Sequence, residues 1–446
     1  MEQDIINEIN DLYLASYITS MTGKSIKSKF MCFTGHDNKT PSMVYYDKPF
    51  VHMRCFGCGK TFNIYDAAYY LEGLSFKDAL YKFAKQYGYE DKLYENQVKP
   101  DTVIKVFDKL KKFALNFDPK YLKSSVKQYL EYKQISIDDM KRYGIGYIGN
   151  NEYVLNMLNN EFGVDTVSAL GLDNPVLLVE ESILFFINNK YGETVGLTRR
   201  YCGNKNYPKY VNVKNNVLYK KSDTLYGLDL VAGKKPLYIV EGQTDAISLW
   251  KNNVNAVAIS GTAFNENTLH EVYNTGIHNI ILCFDNDTAG TEATYKVVNL
   301  FYESNIDVNL YVKQLDQDLD IDEYINKYGF KQFESVPVQE PFEFITKYIL
   351  QNNDTYHAVE QIGDMFAKYN SFNLLNCIDI ISTNLNVPKN KLYNYLNNRI
   401  IQAKLQNINQ YMVNIEENLK KLKQDYEYLL ERHLFANTDV GQVFDG

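Results

Sequence analysis

Apolar and polar positions alternate along this chain with two periods. Residues 43–54, MVYYDKPFVHMR, interleave aromatic, apolar and basic side chains, as a small β-sheet with one wet face would. Asn63 to Glu72 and Ser75 to Tyr87 repeat at helical spacing, the second opened by Ser75 with Asp78 three residues on. Residues 102–170 continue as an apolar helical stripe. From Ser182 strands return as SILFFINN, ETVGLTRRY and PKYVNV, with turns at Gly192 and Asn204. Leu237 to Val240 and Ile280 to Phe284 are short, β-branched apolar runs of the kind buried in parallel sheets. PFEFITKYIL and residues 356–398 read as helices, with Pro388 just inside a helix start. Beyond them Ile401, Leu405, Ile408, Met412, Ile415, Leu419, Leu422, Tyr426 and Leu429 alternate steps of four and three, a heptad seam.

This order predicts a multidomain α/β protein. Its 446 residues carry a prior of about three domains, and 45% hydrophobic with 23% charged residues is ordinary for a globular chain. Residues 90–101 are polar and predict a linker. The divisions expected are a zinc-binding module with bracing helices (1–95), a basic α/β subdomain (102–235), a parallel-sheet domain (236–335), a helical subdomain (340–400), and a heptad helix with a loose tail (401–446). No apolar run reaches the length of a membrane span and the N-terminus lacks the basic and apolar regions of a leader, so a cytoplasmic protein is expected.

A net charge of -8 argues at first against nucleic acid, but it hides an asymmetry. Residues 194–221 carry seven basic side chains, Arg199, Arg200, Lys205, Lys209, Lys214, Lys220 and Lys221, and no acid. Tyr201, Tyr207, Tyr210 and Tyr219 are interleaved with them, which suits a track for a single strand or a nucleotide phosphate better than an edge strand defended by lysine. Residues 236–340 carry a net charge of -11. One segment is built for anions and the next for the cations that accompany them.

Cys32 and His36 form a C-x3-H pair, and Cys55 and Cys58 a C-x2-C pair eighteen residues later. Two tight turns, each offering a ligand pair, supply the tetrahedral set of a single structural zinc. His52, three residues before Cys55, is the alternative to His36. Tyr45, Tyr46, Lys48, His52 and Arg54 are positioned between the pairs to meet unstacked bases.

Glu241 closes the first parallel strand, and Asp285 and Asp287 close the second. A parallel sheet sets such acids along its C-terminal edge, where open α/β sheets bind ligands, and carboxylates dispersed there predict a magnesium (or manganese) site. Helix capping is the bland reading of Asp245 and of Asp287.

The zinc pairs, LTRRYCGNKNYPKYVN, LYKKSDTLYGL, YIVEGQTDAIS, SGTAF, CFDNDTAG and DQDLDID follow one another in the order of motifs in DnaG-type bacterial and phage primases, which the chain resembles over residues 28–335. The resemblance implies a zinc ribbon and a TOPRIM catalytic domain. It matches Glu241 and Asp245 to the acids of E-G-x-x-D, Asp285 and Asp287 to D-x-D, and Asp320 and Asp322 to D-P-D, with Ile321 in place of the proline. Glu241, Asp285, Asp287 and Asp320 would then be catalytic, with Asp245 and Asp322 joining them around magnesium. Arg200, Lys209 and Lys221 fall on the basic positions of that family, beside Arg199, and would hold template or incoming nucleotide.

The function expected is therefore primer RNA synthesis from ribonucleoside triphosphates on single-stranded DNA, in a bacterium or a phage-infected cell. A TOPRIM nuclease or topoisomerase, or a zinc-ribbon single-strand binder without catalysis, are the alternatives. Gly23-Lys24-Ser25 is no P-loop, since Ile18 stands where its first glycine belongs. Any helicase is thus a partner, and the resemblance implies that a replicative helicase docks on the C-terminal helices. Packing of the seam inside the protein ranks next, and self-association third.

Overall fold

The computed structural model describes residues 2–35, 40–48, 51–57, 60–74, 76–93, 97–260, 264–304, 308–315, 319–369, 374–385, 387–402 and, beyond these, 405–406, 408–409, 412, 416, 419–420 and 423. The chain forms two compact units, Met1–Val338 and Gln339–Gly446. In the first unit, three sheets carry the architecture among the described residues.

The first sheet is antiparallel and joins β1 (Met43–Tyr46), β2 (His52–Cys55) and β3 (Thr61–Phe62). A sheet this small needs its hydrophobic face packed against a helix to be stable. The helix Glu2–Thr22 supplies Ile5, Ile9, Leu14 and Ile18 to a core shared with Met43, Met53, Phe62, Tyr65 and Phe83. Asn63 starts the helix Ile64–Glu72 with a capping box, accepting from the Asp66 N–H at 2.9 Å while Asp66 accepts from the Asn63 N–H at 2.8 Å. The cap expected at Ser75 lies outside the described residues.

The predicted linker is shorter than expected. Residues Glu90–Leu93 are helical, and Pro100 already opens the helix Pro100–Leu115, its missing N–H costing nothing at that position. The stretch read as wholly helical also contains β4 (Ile145–Tyr147), which pairs antiparallel with β5 (Ser182–Asn188). β5 continues to β6 (Thr194–Tyr201) and β6 to β7 (Tyr210–Asn212), giving the order β4-β5-β6-β7. The third sheet runs β11 (Asn309–Val312), β10 (Asn279–Leu282), β8 (Leu237–Val240), β9 (Asn255–Ala258), with every pairing parallel. Both sheets share one core: Phe107, Leu110, Phe185 and Leu197 belong to the same buried cluster as Val240, Ala256, Ile321 and Tyr324.

In the second unit the helices Pro341–Asn352, Thr355–Tyr369 and Leu374–Leu385 bury Phe344, Ile345, Ile349, Ile362 and Ile381. The described members of the heptad seam, Ile401, Leu405, Ile408, Met412 and Leu419, are 50 to 60% exposed. That exposure corrects the reading of the seam as packed inside the protein. Ile415, Leu422, Tyr426 and Leu429 lie outside the described residues.

The basic segment also divides differently from expectation. Successive strand residues face opposite sides, so the adjacent arginines of β6 part company. Arg199 is fully buried, its Nε and Nη2 donating to the Val176 carbonyl at 2.9 and 2.6 Å and its Nη1 to that of Pro208 at 2.7 Å. It holds two loops to the sheet and is closed to solvent, which corrects its assignment as a binding residue. Tyr201 and Tyr219 are likewise interior, while Tyr210 stays exposed. Arg199→Ala would remove three hydrogen bonds to the Val176 and Pro208 carbonyls and empty the space of a fully buried side chain, so it is expected to cost about 3 kcal/mol of stability. Chemical denaturation measures that loss, and a midpoint equal to wild type would refute the structural role.

Candidate active site

Parallel pairing sets the ends of β8 and β10 side by side, and the acids follow. Glu241 Oε1 accepts the Asp285 N–H at 3.0 Å, fixing one acid by the backbone of the other. Asp287 Oδ1 accepts the Gly290 N–H at 2.7 Å, at the start of the helix Thr288–Ser304. The packing around Gly290 is close: a Cβ there would stand 2.2 Å from the Asp285 carbonyl and 2.7 Å from Glu241 Oε1. Glu241, Asp285 and Asp320 are part-exposed and Asp287 is exposed, so these four carboxylates face solvent.

Asp245 and Asp322 form a second, buried layer. Asp245 accepts from the Gly242 N–H at 3.2 Å and from the Asp322 N–H at 3.1 Å, which ties the start of the helix Gln243–Lys251 to that of Ile321–Tyr328. Asp322 pairs with Lys133 at 2.8 Å, and the same ammonium lies 3.3 Å from Glu323 and 4.0 Å from Asp320. These two acids therefore support the open four, which corrects the expectation that all six line one site. Lys133 was not foreseen, because a single lysine in a helical stripe carries no signal of its partner.

Burial and mutual repulsion both raise these carboxyls, burial the more. Burial pushes the Glu241 carboxyl up, partly offset by the Asp285 N–H, and the Asp287 and Asp320 charges push it further. Burial, then Glu241, Asp320 and Asp287, raise Asp285 to about 7. Asp320 is raised by burial, against the pull of Lys133. Burial alone would lower the Lys133 ammonium, but Asp322 and Glu323 hold it above the ordinary lysine range.

The basic side is close at hand. Lys209 is exposed and its charge reaches Asp320 and Glu323. The Arg200 guanidinium lies 4.7 Å from the Tyr129 ring and 5.3 Å from that of Tyr210, a cation–π sandwich that also went unforeseen. Lys221 is exposed, and its backbone N–H donates to Asn215 Oδ1 at 3.0 Å.

In the zinc module Cys32 and Cys55 are buried, and the Gly35 N–H closes a tight turn on the Cys32 carbonyl at 3.0 Å, with φ of 74° at Gly35. His36 and Cys58 lie outside the described residues. His52 stacks on Tyr46 with ring centroids 5.3 Å apart and is buried, so it is no surface for bases. Three residues along a strand reverse the side, which points His52 away from Cys55 and against its reading as a ligand.

Family models match three stretches in order: a CHC2 zinc finger over residues 6–99, the N-terminal domain of the DNA primase catalytic core over 116–232, and a Toprim-like domain over 238–325. The chain belongs to the DnaG-type primase family. A DNA primase of Lactococcus lactis is 26% identical over 401 residues, 82% of this chain and 61% of its own length. One of Rickettsia bellii is 31% identical over 317 residues, 67% of this chain and 52% of its own. The chain thus spans little more than half the length of these curated relatives. The fold matches the zinc-binding and RNA polymerase domains of Aquifex aeolicus primase with a TM-score of 0.50 at 20% identity, covering 87% of this chain and 98% of that one. It matches a DnaG primase catalytic domain bound to single-stranded DNA with a TM-score of 0.54 at 22% identity, covering 65% and 98%.

This DnaG-type site has an excess of negative charge that acts on stability. An unfolded Asp titrates near about 3.9, so between that pH and about 7 the folded protein holds a proton on Asp285 that the unfolded chain releases. Stability from this group is therefore lost as pH rises through that window. In magnesium-free buffer the wild-type Tm should fall from pH 5 to pH 8, Asp285→Asn should fall less, and magnesium at pH 8 should restore the wild type. Equal pH slopes for the two proteins would show that Asp285 carries no such charge penalty.

Proposed function

We propose that this chain synthesises short RNA primers on single-stranded DNA by nucleotidyl transfer dependent on a divalent cation. The observation that carries the reading is the set of four solvent-facing carboxylates, Glu241, Asp285 and Asp287 just past the ends of parallel strands and Asp320 at the start of the helix Ile321–Tyr328, with Asp285 raised to about 7 by burial and by the charges of Glu241, Asp320 and Asp287. Among the described residues no three His, Cys, Asp or Glu groups form a ready metal cage. Magnesium keeps much of its water and takes one or two protein carboxylates per ion. Glu241, Asp285, Asp287 and Asp320 would hold it. Two such ions, when bound, stabilise the negative charge on the attacking 3′-oxygen and on the leaving pyrophosphate.

The remaining steps belong to the chain's own side chains. Lys133 and Asp245 fix the buried ends of two helices, so Glu241 and Asp320 keep their places as charge arrives. Lys209 and Lys221 draw phosphates by charge, and Arg200, held flat by Tyr129 and Tyr210, is ordered before a nucleic acid meets it. Exposed Tyr210 gives a base a stacking face. A cleavage reaction through a tyrosine is less well supported. Tyr129, which senses the Asp322 charge, has its phenol pushed well above the ordinary range by burial and makes a poor nucleophile.

One zinc in the N-terminal module, held by Cys32, His36, Cys55 and Cys58, completes the reading, with buried Cys32 and Cys55 as its support. A replicative helicase is the proposed partner of the exposed seam at Ile401, Leu405, Ile408, Met412 and Leu419.

Single-stranded templates of mixed sequence, labelled ribonucleotides and magnesium should give short RNA. Asp285→Ala and Asp287→Ala should each lower the yield by on the order of 10³-fold with template binding kept. Nicked template in place of RNA would favour the nuclease, and undiminished yield in either variant would refute the cation site. Metal analysis of protein purified without chelators should find one zinc per chain, and Cys55→Ser should release it and unfold the ribbon, since the binding free energy of a structural zinc is largely folding free energy. Zinc-free wild type with a folded ribbon would refute this.

A further inference from the structure

The first unit has two separate buried cores. Among the described residues, the core beneath the zinc module, from Ile5 to Tyr89, shares no member with the one beneath the other two sheets, from Val103 to Phe333. An open cavity of about 920 Å³ lies at the joint, lined by Tyr65, Tyr69 and Asp78 from the zinc module and by Lys190, Leu228 and Glu271 from the rest. Modules without a common apolar core move relative to one another unless polar contacts fix them.

One such contact is built into the turn between β5 and β6. Asn189 Oδ1 accepts from the Tyr191 and Glu193 N–H groups at 3.0 and 3.1 Å, and its amide donates to the Glu193 carboxylate at 2.8 Å, which fixes the turn. From there Lys190 reaches the zinc module twice. Its ammonium donates to the carbonyl of Gly73, just past the helix Ile64–Glu72, at 3.2 Å. It also pairs at 3.1 Å with Asp78, in the first turn of the helix Phe76–Tyr87. Burial alone would lower this ammonium, but Glu271, on the helix Glu266–Asn274 of the parallel-sheet domain, and Asp78 hold it above the ordinary lysine range. One part-buried lysine thus links three parts of the unit.

The joint bears on how a template is held. On the zinc module Arg54 and Phe56 are exposed, the guanidinium 6.0 Å from the ring centroid, and they offer a base a stacking face. A strand bound there and at Arg200 and Tyr210 makes its second contact at an effective concentration set by how firmly the two faces are joined. β6 spans roughly 20 Å from Thr194 to Arg200, so Lys190 stands at the far end of the hairpin from the track and touches neither strand nor carboxylate.

We propose that Lys190 is a positioning residue that fixes the zinc module on the catalytic part of the chain, so that one template strand meets both. The effect on priming rests on the nucleotidyl-transfer reading above, whereas the joint itself does not.

The test uses full-length Lys190→Met, which keeps the length of the side chain and removes its charge, and Lys190→Arg, which keeps the charge. Lys190→Met should retain its zinc and show a larger radius of gyration than wild type in small-angle scattering. Its KM for single-stranded template should rise about tenfold, with kcat at saturating template within about twofold of wild type. Lys190→Arg should match wild type in both measurements. If the wild type makes no RNA, the nucleotidyl-transfer reading fails, and scattering still decides whether Lys190 holds the module. An unchanged radius of gyration or an unchanged template KM in Lys190→Met would overturn the proposal. Loss of zinc, or a lowered kcat with KM unchanged, would assign Lys190 to folding alone and overturn it too. So would a Lys190→Arg protein as impaired as Lys190→Met, because charge would then not be what holds the joint.

Discussion

The contact between Lys133 and Asp322, 2.8 Å long and almost sealed from water, is the one on which the arrangement of this site depends. An unpaired charge at either position would be expensive to bury, so the two must meet, and their meeting joins the helix Ser124–Tyr132, whose C-terminus Lys133 caps, to Ile321–Tyr328. Asp322 in turn gives its backbone N–H to Asp245, and Asp245 takes the N–H of Gly242 beside Glu241. A charge from one sheet domain thus reaches the carboxylate edge of the other through two backbone hydrogen bonds. Glu241 and Asp320 stand at the two ends of that chain of contacts, which is why they hold position although each is repelled by its neighbours.

Repulsion of this kind is a reservoir for binding. Each carboxylate taken from water and set beside another is raised in pKa, and a cation that arrives lowers the energy of every charged form at once. Lys133 offsets the Asp322 charge and part of that on Asp320, while Asp245, sealed beside Asp322, is itself pushed well above the ordinary carboxylate range by burial. Had Lys133 reached Asp285 as well, the protein would gain stability and lose affinity for a cation.

Much of this could be read along the chain, and the failures share a cause. Acids just after short apolar runs mark the end of a buried parallel strand, so Glu241, Asp285 and Asp287 were legible. The spacing that placed Arg199 with Arg200 records charge but not face, and strand alternation put one arginine among backbone carbonyls and the other between two tyrosines. β4 is three residues long, Ile145–Tyr147, too short for a period to register inside helical sequence. Asp245 and Asp322 look like the other acids in sequence, because only the packing of two helices decides which carboxylates are covered. The partner of Lys133 is 189 positions away, and no local pattern carries information over that distance.

Charge alone would seem to forbid this protein from holding nucleic acid, since the strand would approach a domain of net charge -11. The relevant range is shorter than the domain. At physiological salt the Debye length is about 8 Å, so a phosphate senses its near neighbours and little of the total. Lys209, whose charge reaches Asp320 and Glu323, immediately precedes β7. A nucleic acid entering along β7 would meet lysine and tyrosine first and the acids only where cations cover them. The acids and the basic track are therefore interdependent: without cations the cluster repels the strand that the track attracts. On the reading proposed above, cations at the carboxylates would ease that repulsion for the part of a strand nearest them, while contacts farther along the track would hold the strand without them.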